Sequence, residues 1–324
     1  MLRLRRRRAL DVDPRTHPRR QPHLSAASGL VRAGARCWVV ADDEHHLGSF
    51  GSDDGEPLAL LRVVTGDLPL AKKARKKLKP DLETLLLLPP HAAWPAGALL
   101  ALGSGGCPNR RRGVLLPLAQ DGSPVGPPQV LEFDALYAPL LDAFGSVNVE
   151  GGFVAGSELL LLQRGNDAGG VNAAVRYDAA SLLDWLAALA GAAAALPRLP
   201  PAPRAIVPYA LGAVAGVPLG FTDGAALPDG GWMFSAVAEA TDDSYLDGPC
   251  AGSVIGFVGP DGLLGRMHLL EGAPKVEGLT GGVGADGRLH LLAVTDADDP
   301  ELASQLLCAD LALSPALTRR PRSP

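Results

Sequence analysis

The sequence predicts an all-β chain folded as a five-bladed β-propeller, and three observations carry that expectation. Glycine and proline supply 39 and 29 of the 324 residues, about 21% where roughly 12% is usual, and both interrupt helix interiors. Hydrophobic residues make up 47% of the chain, enough at this length to bury a core and too many for a disordered chain. The third observation is a repeat. A small or acidic residue, often followed by glycine and an apolar residue, recurs ahead of a strongly apolar strand with a polar end.

The repeat copies are Ala27-Ser28-Gly29-Leu30, Leu82-Glu83-Thr84-Leu85, Val149-Glu150-Gly151-Gly152, Thr222-Asp223-Gly224-Ala225 and Val276-Glu277-Gly278-Leu279. Their keyed positions 28, 83, 150, 223 and 277 are 55, 67, 73 and 54 residues apart, which are propeller-blade lengths with loops of variable size. Four strands can be placed in each of the first four units. They fall near 25–31, 36–41, 45–50 and 58–64, then 82–88, 98–102, 112–118 and 129–133. The third unit gives 148–154, 158–164, 171–177 and 205–211, and the fourth gives 221–227, 232–238, 253–258 and 264–270. The fifth gives only 276–283, 288–295 and 304–310, so the N-terminal segment Leu2 to Val12 is expected to close the ring beside 304–310. Six blades is the alternative count. Helical inserts are expected at Ala135 to Phe144 and Ser181 to Ala195, followed by a proline-rich linker, Pro197 to Pro203. Residues 1–313 then form one domain, and 314–324 an unstructured tail.

The formal net charge of −5 conceals a split. Residues 1–20 and 72–79 hold 14 of the 30 basic residues, and the other 296 residues carry 16 basic against 33 acidic groups. An acidic body disfavours nucleic acid as a partner and suits cations. The run Lys72 to Lys79 reads as a solvated loop, or alternatively as a localisation patch. Cys37, Cys107, Cys250 and Cys308 are far apart, without metal-ligand spacing, and are expected as buried free thiols. No apolar stretch follows the arginine-rich N-terminus, and the Ala-rich run Leu182 to Leu196 is too short to span a bilayer. A cytoplasmic monomer without membrane contact is the expectation.

In a propeller the first strand of each blade lines the central channel, so Ser28, Glu83, Glu150, Asp223 and Glu277 should converge on one axis. Four like charges that close cannot all stay ionised unaided. Some protonate, or a cation neutralises them. An all-oxygen set without His or Cys suits a hard ion, calcium above magnesium. A structural calcium, a catalytic one and a water-filled channel are all compatible with that set. The polar ends of the second strands offer Asp42, Asp43, Arg164, Asn166, Glu239, Asp296, Asp298 and Asp299 at one mouth. Asp42 and Asp43 could serve as a general base on water, and the planar fork of Arg164 could hold an anionic group of a small substrate or pair with the ring. Lys275 stands two residues ahead of Glu277 and joins Asn166 and Glu239 as a substrate-binding candidate.

Lys275-Val276-Glu277-Gly278-Leu279, the leucine strand ending Gln163-Arg164-Gly165-Asn166, and Val40-Ala41-Asp42-Asp43-Glu44-His45-His46 resemble an uncharacterised bacterial β-propeller family. More remotely they are similar to the calcium-activated nucleotidases (apyrases), and the ring also looks like phytase-like and lactonase-like propellers. The resemblance implies that Ser28, Glu83, Glu150, Asp223 and Glu277 hold calcium. It also implies that Asp42 or Asp43 is the acid beside the attacking water and that Arg164 touches phosphate. Where the nucleotidases carry Asp-Asp-Arg-Thr-Gly, this chain has Asp42-Asp43-Glu44-His45-His46, which removes a basic residue. Three functions follow as expectations: a metal-dependent hydrolase of a phosphoester or phosphoanhydride, a non-enzymatic scaffold with a structural metal, and a hydrolase of sugars or lactones.

Overall fold

The computed structural model describes residues 1–51, 55–165, 170–191, 199–240 and 248–312. Asn166, the tail from 314 and part of the proline-rich linker lie outside the described residues. Strand β1 (Arg5–Ala9) comes first. Blade one holds β2 (Ala27–Ala33), β3 (Arg36–Ala41), β4 (His46–Phe50) and β5 (Ala59–Arg62). Helix α1 (Lys72–Leu78) leads into blade two, with β6 (Leu82–Leu88), β7 (Ala98–Gly103), β8 (Arg112–Pro117) and β9 (Gln129–Glu132). Helix α2 (Asp134–Phe144) precedes blade three, made of β10 (Val149–Ala155), β11 (Glu158–Gln163), β12 (Ala173–Asp178) and, after helix α3 (Ala179–Ala190), β13 (Ala205–Pro208). Blade four contains β14 (Ala213–Val214), β15 (Val217–Ala226), β16 (Trp232–Glu239), β17 (Cys250–Val258) and β18 (Leu264–Leu269). Blade five comprises β19 (Val276–Val283), β20 (Arg288–Thr295) and β21 (Gln305–Ala312), and it is completed by β1, which pairs antiparallel with β21.

Five blades and closure by the N-terminal strand agree with the sequence expectation. Blade four departs from it by a fifth, two-residue strand. Ala215 and Gly216 both take positive φ, 50° and 83°, forming a two-residue hairpin that folds β14 onto the start of β15. Helix α1 departs more. It was expected as a solvated loop. Its residues are all good helix formers and its last turn is basic, but it has no side-chain cap and no acidic residue in its first turn. Arg75 instead anchors it by donating to Leu70 O at 2.7 Å and Pro69 O at 3.2 Å, and its acidic partners lie elsewhere in the chain. The four cysteines are free as expected, but only Cys37 is buried.

The inner strands β2, β6, β10, β15 and β19 touch one another in a closed circuit. No central core exists. Each interface between blades has a cluster of its own, and this explains the unbroken apolar strands. Leu159 and Leu161 of β11 pack toward blade two with Leu100 and Leu102, whereas Leu160 and Leu162 pack toward blade four with Phe221 and Phe234. With both faces buried, the two-residue alternation of a strand disappears into a continuous leucine run. Helices α2 and α3 cap the interface of blades two and three with Tyr137, Leu140, Trp185 and Leu186.

Every inner strand carries one irregularity in its pairing, and in each blade it falls at the same place. The register skips Ser28, Glu83, Glu150, Thr222 and Glu277. A bulge turns one side chain out of the pleat, which is how five blades present one residue each toward the axis. In the fourth blade that residue is Thr222. The expectation of Asp223 was one position out, because both residues precede the Gly224 on which the repeat was aligned.

The position after each bulge meets the next blade. A Cβ on Gly29 would lie 3.1 Å from Glu83 O, one on Gly151 2.6 Å from Asp223 Cα, and one on Gly278 2.8 Å from the Gly29 carbonyl carbon. Close backbone approach requires glycine there. Blades two and four place Thr84 and Asp223 at this position instead, and both side chains bridge the same seam. Thr84 Oγ1 donates to Val149 O at 3.4 Å, and Asp223 Oδ2 accepts from Leu279 N at 2.8 Å.

Candidate functional site

Above the bulges lies a pocket at one end of the ring, lined by ten carboxylates and seven cationic side chains. Ser28, Glu83, Glu150 and Glu277 line it from the inner strands, and Asp42, Asp43, Arg164, Glu239, Asp296, Asp298 and Asp299 from the ends of the second strands. Asp223 does not. Its Oδ1 accepts from Gly224 N at 2.8 Å, so with Leu279 it is committed to backbone amides outside the pocket lining, as a bridge between blades. The structure thus joins all the described candidates except Asp223. It adds Arg75, Lys79, Asp81, Arg110 and Asn148, which the sequence reading missed. Asp81 stands two residues before Glu83 on the line of β6, and that spacing was a usable signal. Arg110 arrives from the β7–β8 connection with no signal at all.

The cations sit among the acids. Arg164 is buried, with Nη2 2.7 Å from Glu239 and Nη1 3.6 Å from Glu150 and 3.9 Å from Glu277. Lys275 Nζ lies 2.6 Å from Asp298, 3.3 Å from Glu239 and 3.4 Å from Glu277. Lys79 Nζ bonds Asp42 and lies 2.7 Å from Asp81, which Arg110 also meets at 2.8 Å. Arg164 and Lys275 are therefore neutralising residues already engaged with the ring. Ten carboxylates against seven cations still leave three negative charges. Among the described residues Glu83 has no ion pair.

The electrostatics follow that imbalance. Burial pushes the Glu83 carboxyl well above its usual range, and Asp81, Asp42 and Glu150 add to it. Burial likewise raises Glu150 to about 8 against the attraction of Arg164, and Glu277 and Asp81 add to the rise. Asp42 and Glu277 are raised for the same first reason. Asp81 moves the other way: burial alone would raise it, but Lys79 and Arg110 hold it below its ordinary value.

Glu150 has a measurable consequence. In the folded chain it keeps a proton that the unfolded chain releases above about 4.5, so stability is greatest below that value and falls as pH rises toward 8. Chelator-treated protein is expected to lose a few kcal/mol across this window, read as a falling melting temperature. A melting temperature that is flat or rising between these limits contradicts the assignment.

A second buried network holds the mouth from outside. Glu44 accepts from Arg19 at 2.6 Å and meets His17 Nε2 at 2.9 Å. It is held down at about 2 because its hydrogen bonds to His17 and His46 and the nearby charge of Arg19 outweigh its burial. Arg19 and Arg75 both reach Asp43 Oδ2 at 3.1 Å. Asp43 Oδ1 has no hydrogen-bond partner among the described residues.

The sequence profile of a family of unknown function, DUF6910, matches residues 75–300. The chain belongs to that family. The DUF6910 match opens at Arg75 on α1 and includes Lys79, Asp81 and every later residue of the mouth up to Pro300, whereas Ser28, Asp42 and Asp43 precede it. No curated protein matches the chain. Among solved structures it is similar to a luciferin-regenerating enzyme at 8% identity, covering 92% of this chain and 96% of the other with a TM-score of 0.45. It is also similar to regucalcin from Agrobacterium tumefaciens, described as a calcium-binding protein, at 9% identity, 99% coverage of each chain and a TM-score of 0.43. A putative gluconolactonase gives 12% identity, 96% and 94% coverage and a TM-score of 0.40. None of these three is described as a nucleotidase. Among the described residues, no helix is long and apolar enough to cross a membrane.

Proposed function

We propose that this member of DUF6910 is a divalent-cation-dependent hydrolase acting at the propeller mouth on a small uncharged ester or lactone. The observation that carries the reading is the unneutralised acid at the mouth. Oxygens of Asp42, Asp81 and Glu83 lie within 4.8 Å of one another, and Glu83 has no ion pair among the described residues. This donor set fits a hard ion such as calcium. Glu83, Asp42 and Asp81 would hold it, with Ser28, Glu150 and Glu277 alongside. When bound, the ion would supply Lewis-acid polarisation of the scissile carbonyl oxygen.

The chain's own residues complete the chemistry. Asp43 offers its unpartnered Oδ1 to a water while Arg19 and Arg75 fix Oδ2, which suits a general base. The proton that Asp43 takes from the water can then pass to the leaving alkoxide. An uncharged substrate is favoured because Arg164 and Lys275 are consumed by the ring's own carboxylates. A phosphoester is the second reading, favoured by Lys72 and Lys76 of α1, which line the same pocket.

The test is a panel of sugar lactones, aryl esters, phosphoesters and nucleotides assayed with calcium, magnesium or manganese. Turnover is expected on the uncharged esters, with kcat about 10² to 10⁴ lower in Asp43→Asn and cation affinity lost in Glu83→Gln. Turnover confined to phosphoesters selects the second reading. Absence of turnover throughout, with cation-dependent stability, leaves a binding scaffold and overturns the proposal.

A further inference from the structure

The mouth already contains one cation in the place where the acids converge. Lys79 is almost fully buried, and its ammonium bridges Asp42 and Asp81, two of the three carboxylates that approach one another most closely. The chain takes an unusual path to achieve this. Asp81 adopts φ of 55° immediately after Pro80, a left-handed conformation that non-glycine residues rarely occupy. The carboxylate is then fixed by Ser104 at 2.5 Å and Arg110 at 2.8 Å. Lys79 also terminates α1, its N–H donating to Arg75 O at 2.8 Å, so the ammonium and the helix end move together.

One ammonium is a poor match for this cluster. It carries a single charge and three donors, and Glu83 keeps no ion pair among the described residues. Glu277 Oε1 lines the same mouth on a side chain about 94% buried, and its one cationic neighbour among the described residues, Lys275 Nζ at 3.4 Å, makes no hydrogen bond to it. A divalent ion supplies the missing charge and accepts more oxygen ligands than an ammonium can serve.

We propose that Lys79 is a tethered stand-in for the divalent cation: the ion takes its position among Asp42, Asp81 and Glu83, and the displaced lysine carries the end of α1 away from the mouth. This rests on the cation dependence proposed above. Exchange by a second cation is the available route, since the ammonium already sits between Asp42 and Asp81. Ion binding and opening of α1 are thereby one event, so the cation admits substrate as well as activating it.

The experiment is calcium titration by calorimetry at pH 7 on the full chain, its Lys79→Met and Lys79→Gln variants. It is paired with hydrogen exchange of residues 72–79 in the unaltered protein with and without saturating calcium. The variants are expected to bind calcium at least tenfold more tightly than the parent, and exchange in α1 is expected to accelerate on calcium addition. Equal or weaker binding in both variants, with the parent binding normally, overturns the stand-in role and leaves the cation reading intact. No binding by any of the three overturns both. Binding by the variants alone overturns the proposal, since the ion then never displaces Lys79 in the parent. Should the variants fail to fold, unchanged exchange at 72–79 in calcium-saturated parent protein overturns the proposal.

Discussion

Replacing Arg164 with methionine is expected to destabilise the protein by about 3–5 kcal/mol, because it strands buried carboxylates rather than deleting a surface contact. Glu150, Glu239 and Glu277 all lie within 4.0 Å of its guanidinium. Methionine fills much of the volume, so the loss is electrostatic. In thermal melts the shift is on the order of 10 °C for a chain of this size. Arg164→Lys should recover only part of it, since a point charge on a shorter stem cannot serve three separate carboxylates. Adding Glu239→Gln to Arg164→Met should restore part of the stability, because one of the three stranded carboxylates is neutralised as well. A methionine variant melting within about 2 °C of the parent would mean that the cluster adds no net stability.

Deleting residues 2–12 has the other large expected effect: loss of soluble, folded protein. The deletion removes β1 and leaves the Gln305–Cys308 stretch of β21 with an unpaired edge. An open apolar edge is a template for aggregation. It also removes Leu10 and Val12 from the cluster joining blades five and one. By comparison, the exposed pair Arg5–Asp310 at 3.1 Å contributes below about 1 kcal/mol, so Arg5→Ala should barely move the melting temperature. A soluble monomer from the truncated chain, melting near the parent, would show that ring closure does not depend on this strand.

The blades were legible because each strand announces itself locally. Leucines buried on both faces, a turn after every run and, in blades three and five, an acid–glycine pair at the bulge are all short-range signals. The mouth was only half legible for the same reason. Glu83, Glu150 and Glu277 sit on the repeat and could be counted off the chain, but the partners that neutralise them come from segments with no common spacing. Arg110 belongs to a connection between strands, and Lys79 belongs to a basic run that reads as solvent-facing until its acids are known. The run's composition was plain; the place it docks was not. Asp223 shows the opposite error. An acid beside a glycine satisfied the repeat, yet the bulge selects Thr222, and a one-residue slip along a strand reverses the face.

The seam beneath the bulges has a consequence for traffic. Thr84, Thr222 and Asp223 are all but inaccessible to solvent, and the glycines beside them bring neighbouring backbones into contact. Among the described residues the seam beneath the acids is therefore closed to solvent at these positions. Whatever reaches the acids must leave past the same rim, so departure of one molecule precedes arrival of the next. Under the role proposed for Lys79, α1, whose residues line that rim, would then govern both directions of exchange at once.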